Sequence, residues 1–164
     1  MRIQTKQLKD FIIDSGLISR DAFEQVEEES VAEGNSAEED IGELLVSKGL
    51  ISEDDLRRMQ AYVLGIPFVD LKGKKIDFKI LSLIPEPIAR NNNIVAFKKD
   101  DSTLEVAMLD TDDLTAIDFV KKKVNLKILP RLTNNDSIKE ILLQYQKTLK
   151  AEFGDIIKRE SESI

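Results

Sequence analysis

The sequence predicts an α+β protein in which a helical subdomain over residues 1–64 precedes a small α+β subdomain over 65–150, with a polar tail or linker over 151–164. Two observations carry this prediction. One apolar pattern occurs twice in the first part, at an offset of 33 residues, and strand-like and helix-like segments alternate in the second. With 164 residues, 41% of them hydrophobic, the chain can form one ordinary domain or two small ones.

Each copy of the repeat predicts a helical hairpin. Apolar residues at i, i+3 and i+4 mark one face of a short helix, namely Leu8, Phe11 and Ile12 in the first copy and Ile41, Leu44 and Leu45 in the second. The motif Gly-Leu-Ile-Ser-x-Asp then follows identically from Gly16 and from Gly49. Glycine ends a helix in the left-handed conformation without steric cost, and Ser19 and Ser52 are predicted N-caps of a second helix. We expect hairpins over 5–33 and 38–64 that bury their apolar faces against each other.

The second part alternates elements around a short sheet. Helical spacing and helix-breaking residues predict helices over 77–84, through 88–90, from 114 and from 135. Apolar alternation and turn residues predict extended segments over 66–71, 94–97, 103–109 and 126–132. Thr111 or Asp112 is the predicted N-cap of the helix from 114. This order is typical of helices packed on a small sheet.

The composition excludes several kinds of chemistry. The chain contains no cysteine and no histidine, so thiolate metal sites and the commonest general base are absent. No Gly-x-x-x-x-Gly-Lys-Ser/Thr motif occurs, and we predict neither an enzyme nor a bound cofactor. Without a signal peptide or an apolar run of about 20 residues, the sequence predicts a cytoplasmic chain with no membrane span.

Charge divides unevenly along the chain. Residues 1–60 carry 7 Lys and Arg against 15 Asp and Glu, whereas residues 61–164 carry 17 against 16. The acidic first part would repel phosphate backbones, so no nucleic-acid partner is predicted, and its charge indicates either a solvated face or a basic protein partner. In the second part, Lys121, Lys122, Lys123 and Lys127 indicate either a solvated helix end or a basic patch for anionic lipid or an acidic partner.

Three acidic side chains admit two interpretations. Asp110, Asp112 and Asp113 fall between a predicted strand and a predicted helix. Carboxylate oxygens are the ligands that magnesium prefers, so these residues could hold a metal ion. Acidic residues at a helix N-terminus also have a purely structural role, and we expect no metal here.

Four segments follow one another along the chain: residues 41–52 (IGELLVSKGLIS), 64–71 (LGIPFVDL), 83–90 (LIPEPIAR) and 106–114 (VAMLDTDDL). In this order they resemble the N-terminal domain of type II secretion and type IV pilus assembly ATPases. The resemblance runs from about residue 5 to about residue 146. It implies a helical subdomain joined to an α+β subdomain, ahead of a hexameric ATPase. It also implies docking to the cytoplasmic domain of an inner-membrane platform protein, so the chain would be peripheral at that membrane.

In some members of the family that this chain resembles, tandem repeats bind cyclic di-GMP. The nucleotide-binding repeat resembles Arg-Leu-Gly-x-x-Leu followed by Gly-x-Leu/Ile, but Gln7 and Asp40 occupy the arginine positions here and Lys9 replaces a glycine. Neither Gln7 nor Asp40 can form the paired, charge-assisted hydrogen bonds that a guanidinium makes with phosphate, and the negative charge of Asp40 would repel a phosphate group. If the nucleotide binds, the resemblance assigns Lys9, Ile41, Gly42, Leu45 and Gly49 to its site. We expect docking instead.

The predicted docking surface lies in the second part. Ile94 to Phe97 forms the first strand of a predicted hairpin, with Lys98 and Lys99 beside it. An exposed strand edge is a template for pairing with another chain, so Ile94, Phe97, Lys98 and Lys99 are the candidate docking residues. Lysines at such an edge can equally prevent aggregation.

Overall fold

The computed structural model describes residues 5–34 and 41–147. The chain divides into two compact units, Met1–Phe68 and Val69–Ile164, which we call the helical unit and the sheet unit. The predicted α+β class is confirmed, because helices precede a small mixed sheet with its own helices. The proposed subdomains over 1–64 and 65–150 stay predictions, and the predicted tail over 151–164 lies outside the described residues.

Within its described residues, 5–34 and 41–68, the helical unit contains α1 (Thr5–Asp14), α2 (Arg20–Ala32), α3 (Ile41–Ser47) and α4 (Glu53–Leu64). Gly16 and Gly49 end the first helix of each hairpin with φ of 77° and 74°, as the repeat predicts. Ser19 Oγ accepts a hydrogen bond from the Ala22 N–H at 3.2 Å, and Ser52 Oγ accepts one from the Asp55 N–H at 3.0 Å. Both predicted N-caps are therefore confirmed.

The two hairpins share one apolar core. α1 packs against α4 and α2 packs against α3, so each helix contacts the opposite hairpin. Equivalent positions of the repeat are buried together, namely Leu8 with Ile41, Ile12 with Leu45 and Phe23 with Leu56. The predicted packing of one hairpin on the other is confirmed, and it explains why the two copies share apolar spacing more closely than side-chain identity.

The sheet unit contains α5 (Phe78–Leu81), α6 (Glu86–Asn92), β1 (Ile94–Lys99), β2 (Thr103–Met108), α7 (Leu114–Val124), β3 (Lys127–Leu132) and a further helix, α8, over 135–147. The strand order is β1-β2-β3. β1 and β2 form an antiparallel hairpin, and β3 runs parallel to β2 after a crossover through α7. The pairing register shifts between Ala96 and Lys98, so Phe97 occupies a β-bulge.

Three local predictions differ from the structure. Residues 66–71 do not form a strand of the sheet; instead the Val69 N–H donates one hydrogen bond to the Leu132 carbonyl at 2.9 Å. The helix predicted over 77–84 spans only Phe78–Leu81. Asp113 caps α7 in place of Thr111 or Asp112, because its Oδ1 accepts the Ala116 N–H three residues on, at 3.1 Å.

Tyr145 joins α8 to the segment around α5. Its buried hydroxyl lies 2.8 Å from the Leu81 carbonyl oxygen and 2.7 Å from the Ile84 carbonyl oxygen. Burial raises the pKa of Tyr145, since a phenolate would lose its hydration there. The phenol therefore stays protonated, and its single O–H lies between the Leu81 carbonyl at the end of α5 and the Ile84 carbonyl just beyond it.

Candidate functional site

Lys9 lies on α1, where its ammonium group contacts α2 of the same hairpin. Its Nζ is 2.8 Å from Glu27 Oε1 and 3.8 Å from Glu24 Oε1, and it lies 5.6 Å from the centre of the Phe23 ring. The hydrogen bond to Glu27 raises the pKa of Lys9. The charge that could attract a nucleotide phosphate is thus compensated within the hairpin.

An acidic groove surrounds this lysine. It encloses about 500 Å³ and is lined by Lys9, Glu24, Glu27, Glu28, Val31 and Ala32. Three carboxylates therefore accompany one ammonium group, and the local potential disfavours an anionic ligand. Gln7 lies exposed on the same helix, whereas Asp40 lies outside the described residues.

The candidate nucleotide residues of the second copy belong mainly to the core. Ile41, Gly42 and Leu45 are buried, and only Gly49 is exposed, at the turn after α3. A Cβ atom placed on Gly42 would lie 2.7 Å from Leu56 Cδ1. The absence of a side chain at Gly42 is what lets α3 approach α4 this closely.

The structure reveals one charged residue that the sequence interpretation missed. Arg57 on α4 is only 6% exposed, and its guanidinium forms an ion pair with Glu43 on α3 and a hydrogen bond of 2.9 Å to Gln60 Oε1. Glu24 occupies the equivalent position in the first copy and also contacts the other helix of its hairpin, through Lys9. Lys9 and Glu43 are not equivalent positions of the repeat, so comparing the two copies does not indicate this pairing.

The candidate docking strand is less accessible than expected. β1 is an edge strand of the sheet, but α5 and α6 pack against it, and Ile94, Val95 and Ala96 are fully buried. The exposed edge predicted from the sequence is therefore covered along its first half. Phe97 is partly buried against the core at the bulge. Only the end of the strand offers exposed side chains.

Those exposed side chains are the two lysines, and they have different surroundings. Lys98 Nζ lies 3.7 Å from Glu105 Oε2, and Glu105 Oε1 lies 3.0 Å from Arg131 Nε, so this lysine joins a charged row across the three strands. Lys99 forms no side-chain ion pair with any described residue and interacts only at longer range with the neighbouring Asp100 carboxylate. Its charge is consequently the more available of the two for a partner.

The acidic residues before α7 have structural roles. Asp113 caps the helix, and Asp110 Oδ1 accepts the Asp112 N–H at 2.9 Å. Across residues 5–34 and 41–147, no three carboxylates gather as ion ligands would. The same ranges contain no helix that is long and apolar enough to cross a membrane.

In the residues that the structure describes, tandem helical hairpins precede a three-stranded mixed sheet with its own helices. The family model of the MshEN domain matches residues 64–152, just over half of the chain. The chain therefore belongs to the MshEN domain family, as the four sequence segments indicate. It is similar in sequence to type IV pilus assembly ATPases and in fold to the N-terminal domain of XpsE.

Two curated relatives are type IV pilus assembly ATPases named PilB. The protein from Myxococcus xanthus is 26% identical over 151 residues, covering 92% of this chain and 26% of the relative. The protein from Thermus thermophilus is 26% identical over 139 residues, covering 84% of this chain and 15% of the relative. The chain thus spans about a quarter or less of the relatives that it matches.

Two solved structures share the fold. A structure of MshE with cdg, which denotes cyclic di-GMP, superposes with a TM-score of 0.66 at 24% identity, covering 84% of this chain and 97% of that one. The N-terminal domain of XpsE gives a TM-score of 0.57 at 17% identity, covering 88% and 96%. At these identities the likeness concerns the fold.

Proposed function

We propose that the chain is a non-catalytic docking module of a type IV pilus or type II secretion ATPase, acting in the cytoplasm. Its partner would be the cytoplasmic domain of an inner-membrane platform protein. Membership of the MshEN family supports the association with such ATPases. The choice of docking over nucleotide binding depends on the surroundings of Lys9, whose ammonium group is engaged by Glu24 and Glu27.

Docking is tested by capture of the full chain on the immobilised cytoplasmic domain of the cognate platform protein. We expect Lys98→Glu/Lys99→Glu in the sheet unit to reduce capture at least tenfold. The matched variant Glu28→Lys/Glu33→Lys, which also reverses two charges, should retain capture because it alters the helical unit. The reverse result would contradict docking by the sheet unit, and no capture of the unaltered chain would contradict the proposed partner.

A second candidate function is reception of cyclic di-GMP by the tandem repeats. The fold shared with MshE, whose structure was obtained with cdg, favours it. The position of Lys9 disfavours it, because binding would have to break the contact with Glu27 and bring phosphates beside three carboxylates. A ligand could approach the backbone of Gly42 closely only if the Leu56 side chain moved away from it.

Calorimetry with cyclic di-GMP decides between the two functions. We expect no binding with a dissociation constant near or below about 1 μM, which corresponds to roughly 8 kcal/mol. If such binding occurs, the receptor function replaces docking as the preferred one, and Lys9→Ala should weaken the affinity. Lys6→Ala, which removes an exposed lysine from the same helix, is the control.

A further inference from the structure

An open groove of about 460 Å³ lies on the sheet unit, at one end of β1. Its lining comes from the segment after α5, the end of β1, the last turn of α7 and the loop before β3; the residues are Ser82, Leu83, Lys99, Lys123, Val124 and Leu126. The tertiary fold therefore brings together side chains from distant parts of the sequence. The volume falls within the range of grooves that hold ligand groups.

The lining of the groove carries positive charge and no carboxylate. Lys99 and Lys123 are exposed, and neither forms a side-chain ion pair in the part of the chain that the structure describes; the Asp100 carboxylate, which interacts with Lys99 at longer range, is not part of the lining. Their sequence neighbours differ, since Lys98 pairs with Glu105 at 3.7 Å and Lys122 pairs with Asp118 at 3.0 Å. The two lysines of the groove are thus available to an anionic partner.

The groove also offers apolar surface. Leu83, Val124 and Leu126 are partly buried and line it together with the two lysines. A ligand that placed only anionic groups here would leave this surface in contact with water. Burying an apolar group against it gains free energy in proportion to the area removed from water.

We propose that this groove docks an acidic segment of a protein partner, in which an apolar side chain is flanked by carboxylates. The inference builds on the proposed docking function and names the chemistry that the partner must supply. The two lysines would attract the carboxylates of such a segment. The apolar side chain between the carboxylates would pack against Leu83, Val124 and Leu126 in the recess. A flat lipid surface would reach the lysines but would leave the recess unfilled.

A second basic groove of about 690 Å³ provides the comparison. It is lined by Gly73, Lys74, Lys75, Ile76, Glu140, Leu143, Gln144 and Lys147. This groove already contains a carboxylate, since Glu140 Oε2 accepts the Gly73 N–H at 2.7 Å. It is therefore the less favourable site for an acidic segment, and its lysines serve as matched controls.

The test uses the full chain and a synthetic peptide, acetyl-Glu-Glu-Leu-Leu-Glu-Asp-amide, with backbone amide NMR as the readout. We expect shifts localised at Leu83, Lys99 and Leu126, and affinity that falls severalfold between about 50 and 300 mM salt. Lys99→Gln/Lys123→Gln should lower the affinity about tenfold. Lys74→Gln/Lys75→Gln removes the same charge and should leave the affinity within about twofold.

Several results would overturn the proposal. The first is equal affinity for a peptide in which Gln and Asn replace the acidic residues. The others are loss of peptide binding in the Lys74→Gln/Lys75→Gln variant and the absence of any peptide binding.

Binding to vesicles containing about 30% phosphatidylserine that depends on Lys99 and Lys123, without peptide binding, would assign the groove to lipid. Self-association that the Lys99/Lys123 variant abolishes would assign it to a second copy. Peptide binding at the groove without capture by the platform domain would refute only that partner.

Discussion

Replacing Gly42 with alanine tests whether packing, and no ligand, requires a glycine at this position. The added Cβ would lie 2.7 Å from Leu56 Cδ1 and 3.3 Å from Leu56 Cδ2. Leu56 is fully buried in the core between the two hairpins, so its side chain has little room to move away. We therefore expect the methyl group to force a shift of α3 or a strained rotamer of Leu56.

Two opposing contributions set how much Gly42→Ala changes the free energy of unfolding. An extra methyl group in a well-packed core costs about 1–3 kcal/mol. Alanine gains at most about 1 kcal/mol over glycine in a helix, which offsets only part of that cost. Gly42→Ala should therefore lower the free energy of unfolding by about 1–2 kcal/mol.

A second substitution should reverse the sign of this effect. Leu56→Ala alone should cost about 2–5 kcal/mol because it leaves a cavity. In that background the methyl group of Gly42→Ala enters the vacated space, so the same substitution becomes neutral or stabilising. In an Ile12→Ala background, where the cavity lies at another core position, Gly42→Ala should stay destabilising.

Urea unfolding followed by far-UV circular dichroism gives the free energy of unfolding for each variant. The coupling between Gly42→Ala and Leu56→Ala should exceed about 1 kcal/mol, well above the additivity error of about 0.5 kcal/mol. If Gly42→Ala lowers the free energy of unfolding equally in the unaltered chain and in the Leu56→Ala background, the packing explanation is refuted. A glycine retained for ligand approach would then become the better account.

Three further predictions follow from individual contacts. Leu45→Ala, in the core, should cost about 2–5 kcal/mol in urea unfolding, whereas Leu50→Ala, 41% exposed in the same hairpin, should cost under about 1 kcal/mol; equal costs would contradict the shared core. Tyr145→Phe should cost about 1–3 kcal/mol because it removes the buried O–H that lies between the Leu81 and Ile84 carbonyls, and an unchanged stability would contradict this hydrogen bonding. Backbone hydrogen bonds from Ser102 and Thr103 hold the pKa of Asp100 below its usual range. Its contribution to stability is therefore present above the unfolded pKa and lost as the pH falls through the folded one, and an NMR titration midpoint at or above about 4 would contradict this.

The sequence alone determined the features that depend on neighbouring residues. The hairpins follow from apolar spacing within each copy, from Gly16 and Gly49 at the helix ends, and from the serine caps three residues later. These interactions join residues within one or two turns of each other, so a pattern in the chain predicts them. The family resemblance and the α+β class were predictable for the same reason, since both depend on the order of such local segments.

Only the tertiary structure decided which charges are available. Lys9 and Lys99 look alike in the sequence, yet Lys9 meets Glu27 across its hairpin while Lys99 comes beside Lys123 at a groove without carboxylates. Likewise β1 is an edge strand whose first residues are covered by α5 and α6, which its own alternation could not reveal. Electrostatic energy and burial depend on distances between residues far apart in the chain, and those distances exist only once the chain has folded.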